Sequence, residues 1–152
     1  DITVTNEREH GFEPMADLRV RPAQLHGLAV EGNVIPNLID EIPVLAIAAA
    51  CAEGRTEIRD AAELRVKETD RIAAVVQNLK ALGAEVEEFE DGLAIEGPLQ
   101  LQGAAVDSFG DHRIAMAMGI AGLVAKGTTT IQNAEVAKVS FPEFWEVLEG
   151  LG

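Results

Sequence analysis

The charged side chains best suited to chemistry fall in one short stretch, residues 63–71, which contains Lys67, Glu68 and Arg71. At helical spacing Lys67 and Arg71 are i and i+4 and Glu68 and Arg71 are i and i+3, so all three would share one region of surface. A solvated stretch with an ion pair is one interpretation. An anion site is the other, because two cations at the positive start of a helix are unfavourable until a phosphate or carboxylate binds there.

A second charged group, Gly110-Asp111-His112-Arg113, has the same character. Asp111 is a good N-cap residue for the apolar segment that follows, which places Arg113 in the first turn of a helix. Taken alone, Arg113 is an ordinary surface arginine. Together with residues 63–71, it predicts a second anion contact. His112 has the chemistry of a base, although the sequence places no partner beside it.

A third group surrounds Asp40, which precedes Glu41-Ile42-Pro43. Proline is favoured in the first turn of a helix, so Asp40 is predicted to be an N-cap residue. A capping carboxylate at this helix start faces the same cleft as the predicted cations. The structural role and a catalytic role are therefore compatible.

The elements that must position these groups form an internal repeat. Asp40 and Asp111 each precede an alanine-rich apolar segment, and Gly54 and Gly127 each follow one, at spacings of about 71 to 73 residues. Each unit is predicted to fold as strand, helix, strand, helix, strand, strand, and the chain holds about two units plus part of a third.

The helices predicted at 42–52 and 114–125 are apolar on nearly every side, which indicates that they are buried all round. Amphipathic helices and sheets would surround this helical core, so the predicted fold class is α+β with repeated βαβαββ units. Between the two apolar helices the pattern predicts strands at 56–58, 85–89 and 93–95, and a helix that is capped by Thr69 or Asp70 and ends at Gly83. The apolar face of this helix has residues three and four apart: Ile72, Val75, Val76, Leu79 and Leu82.

The composition limits the partners of the chain. It has 152 residues, and 26 Asp plus Glu against 12 Lys plus Arg give a net charge of -14. This charge repels nucleic acids and anionic membranes, but a small anion can still bind where the cations are concentrated. Cys51 is the only cysteine, so a Cys/His metal cluster cannot form around it, and the apolar run at 42–52 is too short to span a membrane. We expect a cytoplasmic protein without a metal or cofactor.

Four motifs, in this order, resemble the C-terminal signatures of the EPSP synthases, the enolpyruvyl transferases that join phosphoenolpyruvate to shikimate-3-phosphate. They are IDEIP at 39–43, LRVKETDR at 64–71, GDHR at 110–113 and VSFP at 139–142. The ELRVKE and SFPEF versions look like the bacterial subgroup called class II. The resemblance implies an inside-out α/β barrel of repeated units in two globular domains. Residues 1–152 would form part of the C-terminal domain, and the N-terminal domain would be absent.

The resemblance also implies a role for each charged residue. Asp40 would contact the shikimate hydroxyl and accept its proton, and Lys67 would bind the phosphate side of shikimate-3-phosphate and help proton transfer. Glu68 would handle the proton at the enol methylene carbon. Arg71 and Arg113 would clamp phosphoenolpyruvate.

Two positions depart from the family pattern. The family often has Asn where this chain has Glu63, which leaves a substrate contact there open. The lysine that some members carry directly before Thr-Phe-Pro is displaced here to Lys138, which stays a candidate substrate contact. Two other functions also stay open: a related transferase that acts on a UDP-sugar, and a non-catalytic half that binds one ligand or only its partner domain.

Overall fold

The computed structural model describes residues 1–151, and the chain opens with an antiparallel hairpin. Strand β1 (Ile2–His10) pairs with β2 (Glu13–Val20), and every residue of both strands is exposed. The hairpin corresponds to the last two strands of a repeat unit.

A complete repeat follows the hairpin. Its elements are β3 (Ala29–Val30), α1 (Ile35–Leu38), α2 (Ile42–Cys51), β4 (Gly54–Ile58), α3 (Arg71–Ala81), β5 (Val86–Phe89) and β6 (Gly92–Gly97). The strands form one sheet in the order β3-β4-β6-β5, in which β3 and β4 are parallel and the other pairs antiparallel. This order of elements confirms the predicted βαβαββ unit.

A second repeat begins in the same way. Its elements are β7 (Ala105–Asp107), α4 (His112–Val124), β8 (Thr130–Gln132), a 3₁₀ helix (Ala134–Val139) and α5 (Phe144–Glu149). Val106 of β7 lies opposite Ile131 of β8 in a parallel pair, as Val30 of β3 lies opposite Ile58 of β4. The internal repeat is therefore confirmed. Gly152, which the predicted domain of residues 1–152 includes, lies outside the described residues.

The two apolar helices, α2 and α4, pack against each other at the centre of the fold. Ala46, Ile47, Ala50, Ile114 and Met118 are all buried there. Burying a large aliphatic side chain contributes about 1.5–3 kcal/mol, so these helices hold the core together. Because both helices begin near the charged motifs, the core also fixes the positions of those motifs.

Helix α3 covers one face of the four-stranded sheet. Its predicted apolar residues are all buried: Ile72, Val75, Val76, Leu79 and Leu82. Asp70, rather than Thr69, caps the helix, because its carboxylate accepts the N–H of Ala73 at 2.9 Å. Arg71 is therefore the first residue of the helix.

Two predictions about helix starts are wrong. Asp40 is not an N-cap residue: it lies in a 3₁₀ turn (Ile39–Glu41), and α2 begins only at Ile42. Lys67 does not lie on a helix with Arg71, because it follows a 3₁₀ helix (Ala62–Val66) in an extended backbone conformation and precedes the cap of α3. Tertiary structure, rather than helical spacing, brings Lys67 to the other charges.

The helical segments before α2 join it into one continuous stretch, Gly32–Cys51, of 20 residues. Its most apolar window has a mean hydropathy of 1.7, and 44% of that window is buried. The stretch is thus longer than the apolar run considered in the sequence. Its length and composition alone are weak evidence for a membrane span, because core helices of soluble proteins share them. The cytoplasmic location stays a prediction.

The C-terminal segment packs on α4 through two aromatic residues. A Cβ atom at Gly119 would lie 2.9 Å from Trp145 Cζ3 and 3.1 Å from Phe144 Cε1, so only glycine leaves room for these rings. The indole Nε1 of Trp145 also donates to the carbonyl of Ala134 at 3.0 Å. These contacts hold the SFP segment beside the start of α4.

Candidate functional site

Five of the six residues predicted to form the site come together around one carboxylate. Arg71 Nη1 lies 2.8 Å from Asp40 Oδ1, Lys67 Nζ lies 3.9 Å from the same oxygen, and Arg113 Nη2 lies 3.9 Å from Oδ2. Glu68 joins through Arg71, whose Nη2 donates to Glu68 Oε2 at 2.7 Å. We call these five residues the Asp40 cluster. They come from three separate motifs.

Arg71 is the centre of this cluster and is buried, with only 2% of its side chain exposed. The sequence predicted a surface cation at this position, and that prediction is wrong. Three carboxylates surround its guanidinium: Asp40, Glu68 and Asp111. Desolvation lowers the pKa of Arg71, but the hydrogen bonds and charges of its three carboxylate partners, Asp111 first among them, together outweigh it, so the pKa is raised and the charge is retained.

Asp111 is fully buried and connects two helices. As predicted, it caps α4, where its Oδ1 accepts the N–H of Arg113 at 2.7 Å. Its Oδ2 also accepts the Nε–H of Arg71 at 2.7 Å, a contact that sequence reasoning missed. The residues of this ion pair are 40 positions apart, so no local pattern indicates it.

Arg113 has its own partner, Glu41, which sequence reasoning also missed. Arg113 Nη1 donates to Glu41 Oε1 and to the backbone carbonyl of Asp40 at 3.4 Å. The side chain of Arg113 is 28% exposed and that of Glu41 57% exposed. This pair therefore faces the solvent and can exchange partners.

Lys67 is paired with Glu63, one of the two positions that depart from the family pattern. Lys67 Nζ lies 2.6 Å from Glu63 Oε1. This hydrogen bond raises the pKa of Lys67, and the charges of Glu63 and Asp40 add to the effect. Glu63 thus orients one cation of the Asp40 cluster.

The VSFP motif reaches the site through its phenylalanine. A cavity of about 260 Å³ lies between the starts of α2 and α4 and the C-terminal segment, and Asp40, Glu41, Arg113, Phe141 and Phe144 contribute to its lining. Lys138 is exposed on the neighbouring 3₁₀ helix, and among residues 1–151 it has no carboxylate within 4.0 Å. The structure therefore does not bring Lys138 into the Asp40 cluster.

The electrostatics of the Asp40 cluster favour an ionised Asp40. Desolvation raises the pKa of this carboxyl, but the hydrogen bond from Arg71 and the charges of Arg113, Arg71 and Lys67 together lower it below its usual value. Such a carboxylate is a weak base while its cations remain in place. The arrangement is typical of a site in which fixed charges await anionic groups.

Comparisons with known proteins agree on one family. The family model described as EPSP synthase (3-phosphoshikimate 1-carboxyvinyltransferase) matches residues 3–148. A protein named 3-phosphoshikimate 1-carboxyvinyltransferase from Salinibacter ruber is 68% identical over 97% of this chain and 35% of its own length. One of the same name from Roseiflexus castenholzii is 61% identical over 97% of this chain and 34% of its own length.

A solved structure gives the same result. EPSP synthase from Acinetobacter baumannii superposes with a TM-score of 0.95 at 43% identity, over 100% of this chain and 36% of that one. The likeness confirms the predicted fold class. The chain spans about a third of the length of the relatives that it matches.

Proposed function

We propose that this chain, which belongs to the EPSP synthase family, forms one side of the active site of a 3-phosphoshikimate 1-carboxyvinyltransferase. The observation that carries the proposal is the Asp40 cluster, in which one carboxylate lies at 2.8, 3.9 and 3.9 Å from three cations. The reaction would transfer the enolpyruvyl group of phosphoenolpyruvate to a hydroxyl of shikimate-3-phosphate and release phosphate. The names of the relatives favour this acceptor over a UDP-sugar.

The chemistry assigns a role to each member of the cluster. Joining the hydroxyl to the enol carbon requires a base for the hydroxyl proton and an acid for the methylene carbon, and we assign these roles to Asp40 and Glu68. Loss of phosphate and of one proton from the resulting methyl group then restores the double bond. Arg71 and Arg113 would hold phosphoenolpyruvate, and Lys67 the phosphate side of shikimate-3-phosphate, as fixed charges that stabilise negative groups.

Substrate binding would also activate the base. Within the Asp40 cluster, Arg71 and Arg113, with Lys67, hold the pKa of Asp40 below its usual value. A substrate anion that takes over Arg71 and Arg113 removes those interactions, and the pKa of Asp40 rises. A carboxylate with a higher pKa accepts a proton more readily, so the base becomes effective only when the substrate is present.

The charges of the cluster indicate that this side of the site is incomplete. The cluster has three cations, Lys67, Arg71 and Arg113. These cations are already paired with five carboxylates: Asp40, Glu41, Glu63, Glu68 and Asp111. Substrates with several negative charges would enter a net negative region. We propose that the rest of the enzyme supplies further cations, and that residues 1–152 are part of the C-terminal of two globular domains.

The test compares this chain with the full-length parent enzyme and with a mixture of the chain and the remaining N-terminal part. Phosphate release is measured with both substrates present, and shikimate-3-phosphate binding is measured by calorimetry. The parent should release phosphate, the chain alone should not, and the mixture should regain part of the activity. Phosphate release by the chain alone, above a protein-free background, would refute the half-site proposal.

A further inference from the structure

The carboxylate of Asp111 makes contacts that the proposed reaction does not use. Its Oδ2 accepts the Nε–H of Arg71 at 2.7 Å, and its Oδ1 lies 3.4 Å from Arg71 Nη2. Oδ1 also accepts the backbone N–H of Arg113 at 2.7 Å and lies 3.4 Å from that of Ile114. One side chain therefore ties the first residue of α3 to the first turn of α4.

The three carboxylates around Arg71 are not equivalent. Asp40 and Glu68 bind its terminal nitrogens Nη1 and Nη2, and their side chains are 45% and 49% exposed. Asp111 binds the inner nitrogen Nε and has an exposure of 0%. An incoming anion can replace the two exposed carboxylates at the terminal nitrogens, whereas it cannot reach the position of Asp111.

We propose that Asp111 is a positioning residue, which holds Arg71 in the orientation that receives a substrate anion. A guanidinium fixed at Nε presents Nη1 and Nη2 in one orientation, and two parallel hydrogen bonds to a carboxylate or phosphate require that orientation. The backbone of Arg113 is fixed by the same carboxylate. The inference rests on the proposed function, because it takes the anion to be phosphoenolpyruvate.

The variant Asp111→Asn removes the negative charge of the side chain but keeps its size and shape. Asparagine is as good an N-cap residue as aspartate, so α4 should keep its start. Its amide has one oxygen where the carboxylate has two, so an acceptor can stand at only one of the positions that bind Arg71 Nε and Arg113 N, and an NH2 donor stands at the other. The substitution therefore breaks at least one of the two connections while the side chain keeps its size.

Asp70→Asn is a matched control. Asp70 also caps a helix, since it accepts the N–H of Ala73 at 2.9 Å, and it also pairs with an arginine, Arg65, at 2.8 Å. That arginine is not part of the Asp40 cluster. If the loss of a helix cap or of any charged pair raises the KM, both variants should show the rise. If the loss of Arg71 orientation raises the KM, only Asp111→Asn should show it.

The measurement is steady-state kinetics of the full-length parent enzyme. Asp111→Asn should raise the KM for phosphoenolpyruvate by about tenfold to a hundredfold, the range for loss of a charged hydrogen bond at the anion site. Asp70→Asn should leave it within about twofold. Equal KM values in the two variants would overturn the proposal.

A double-mutant cycle decides whether Asp111 acts through Arg71, and it also covers the case in which Asp111→Asn fails to fold. Adding Asp111→Asn to Arg71→Gln removes both charges together, so no buried charge is left unpaired. The double variant should have the KM of Arg71→Gln alone. A further rise of tenfold or more would show that Asp111 acts independently of Arg71 and would overturn the proposal.

A nuclear magnetic resonance experiment separates this inference from the proposed function. The parent enzyme is labelled with ¹⁵N-arginine, and the Nε–H resonance of Arg71 is assigned as the one that disappears in Arg71→Gln. This N–H should exchange slowly with water. It should exchange faster in Asp111→Asn than in Asp70→Asn. If the wild-type parent releases no phosphate, the proposed function fails, and this resonance still decides whether Asp111 holds Arg71. Fast exchange in the wild-type parent would overturn the proposed positioning.

Discussion

Replacement of Glu68 by glutamine in the parent enzyme is the most direct test of the proposed chemistry. The variant keeps the length and most of the hydrogen bonding of the side chain, but it lacks a proton that can be transferred to carbon. In the structure Glu68 has two candidate roles, because its side chain is half-exposed and also accepts a hydrogen bond from Arg71 Nη2 at 2.7 Å. The two roles predict different kinetic effects.

The expected magnitudes follow from the exposure of the pair. Glu68 is 49% exposed, and an ion pair with an exposed partner contributes about 0–1 kcal/mol, so its loss should change the KM for phosphoenolpyruvate by less than about fivefold. General acid–base catalysis contributes about 10²–10⁴-fold. We therefore expect kcat to fall at least about a hundredfold while KM stays nearly constant, the pattern of an interaction made in the transition state.

The assay combines phosphate release with incorporation of deuterium from D₂O into the enolpyruvyl methylene group. Both rates should fall together in Glu68→Gln. Glu63→Gln is the control, because Glu63 is a half-exposed glutamate paired with another cation of the cluster, Lys67, and has no assigned proton transfer. An unchanged kcat in Glu68→Gln would mean that Glu68 is only the ion-pair partner of Arg71. Lys67 would then be the next candidate for the proton at carbon.

Three further predictions follow from the same cluster. Arg71→Ala should lower the unfolding free energy by about 3–5 kcal/mol, because it leaves the buried Asp111 unpaired, whereas Arg113→Ala should change it by less than about 1 kcal/mol. Both substitutions should raise the KM for phosphoenolpyruvate. Urea denaturation measures the change in unfolding free energy, and initial rates measure the change in KM. Glu41→Gln should lower that KM by up to about fivefold, because its carboxylate competes for Arg113; a raised KM contradicts this competition. Because the pKa of Asp40 is lowered in the folded chain, its ionised carboxylate stabilises the fold at pH values above its ordinary pKa of 3.8. This contribution is lost as the pH falls through the folded-state pKa. Urea titrations of the chain at several acidic pH values should show this loss, and Asp40→Asn should reduce it.

The sequence predicted the fold well because its signals are local. Alanine-rich segments without a polar face predicted buried helices, and α2 and α4 are the centre of the core. The spacing of Ile72, Val75 and Leu79 predicted the buried face of α3, and Asp70 its cap. Each of these predictions depends on neighbours within a few positions, where helix geometry alone fixes which side chains share a face.

The errors at the site come from contacts over long distances in the sequence. Arg71 is buried because Asp111 lies beside it, and that partner is 40 positions away. Glu41 binds Arg113, which is 72 positions away. Lys67 joins the cluster through Asp40 although it does not lie on α3. The motifs pointed to six residues, of which five lie together in the structure, whereas their pairing depended on how two repeats pack together.

The repeat also explains why two related aspartates have different roles. Asp40 and Asp111 occupy corresponding positions in the two units, and both bind the guanidinium of Arg71, at Nη1 and Nε respectively. Asp111 directly precedes α4, so the backbone N–H groups of that helix bind one of its oxygens and keep it buried. Asp40 lies one residue further from its helix, in a 3₁₀ turn, where its carboxylate has no capping bond and faces the cavity beside Arg113. A shift of one residue at a helix start thus leaves one carboxylate buried as a fixed support and the other partly exposed beside the cavity.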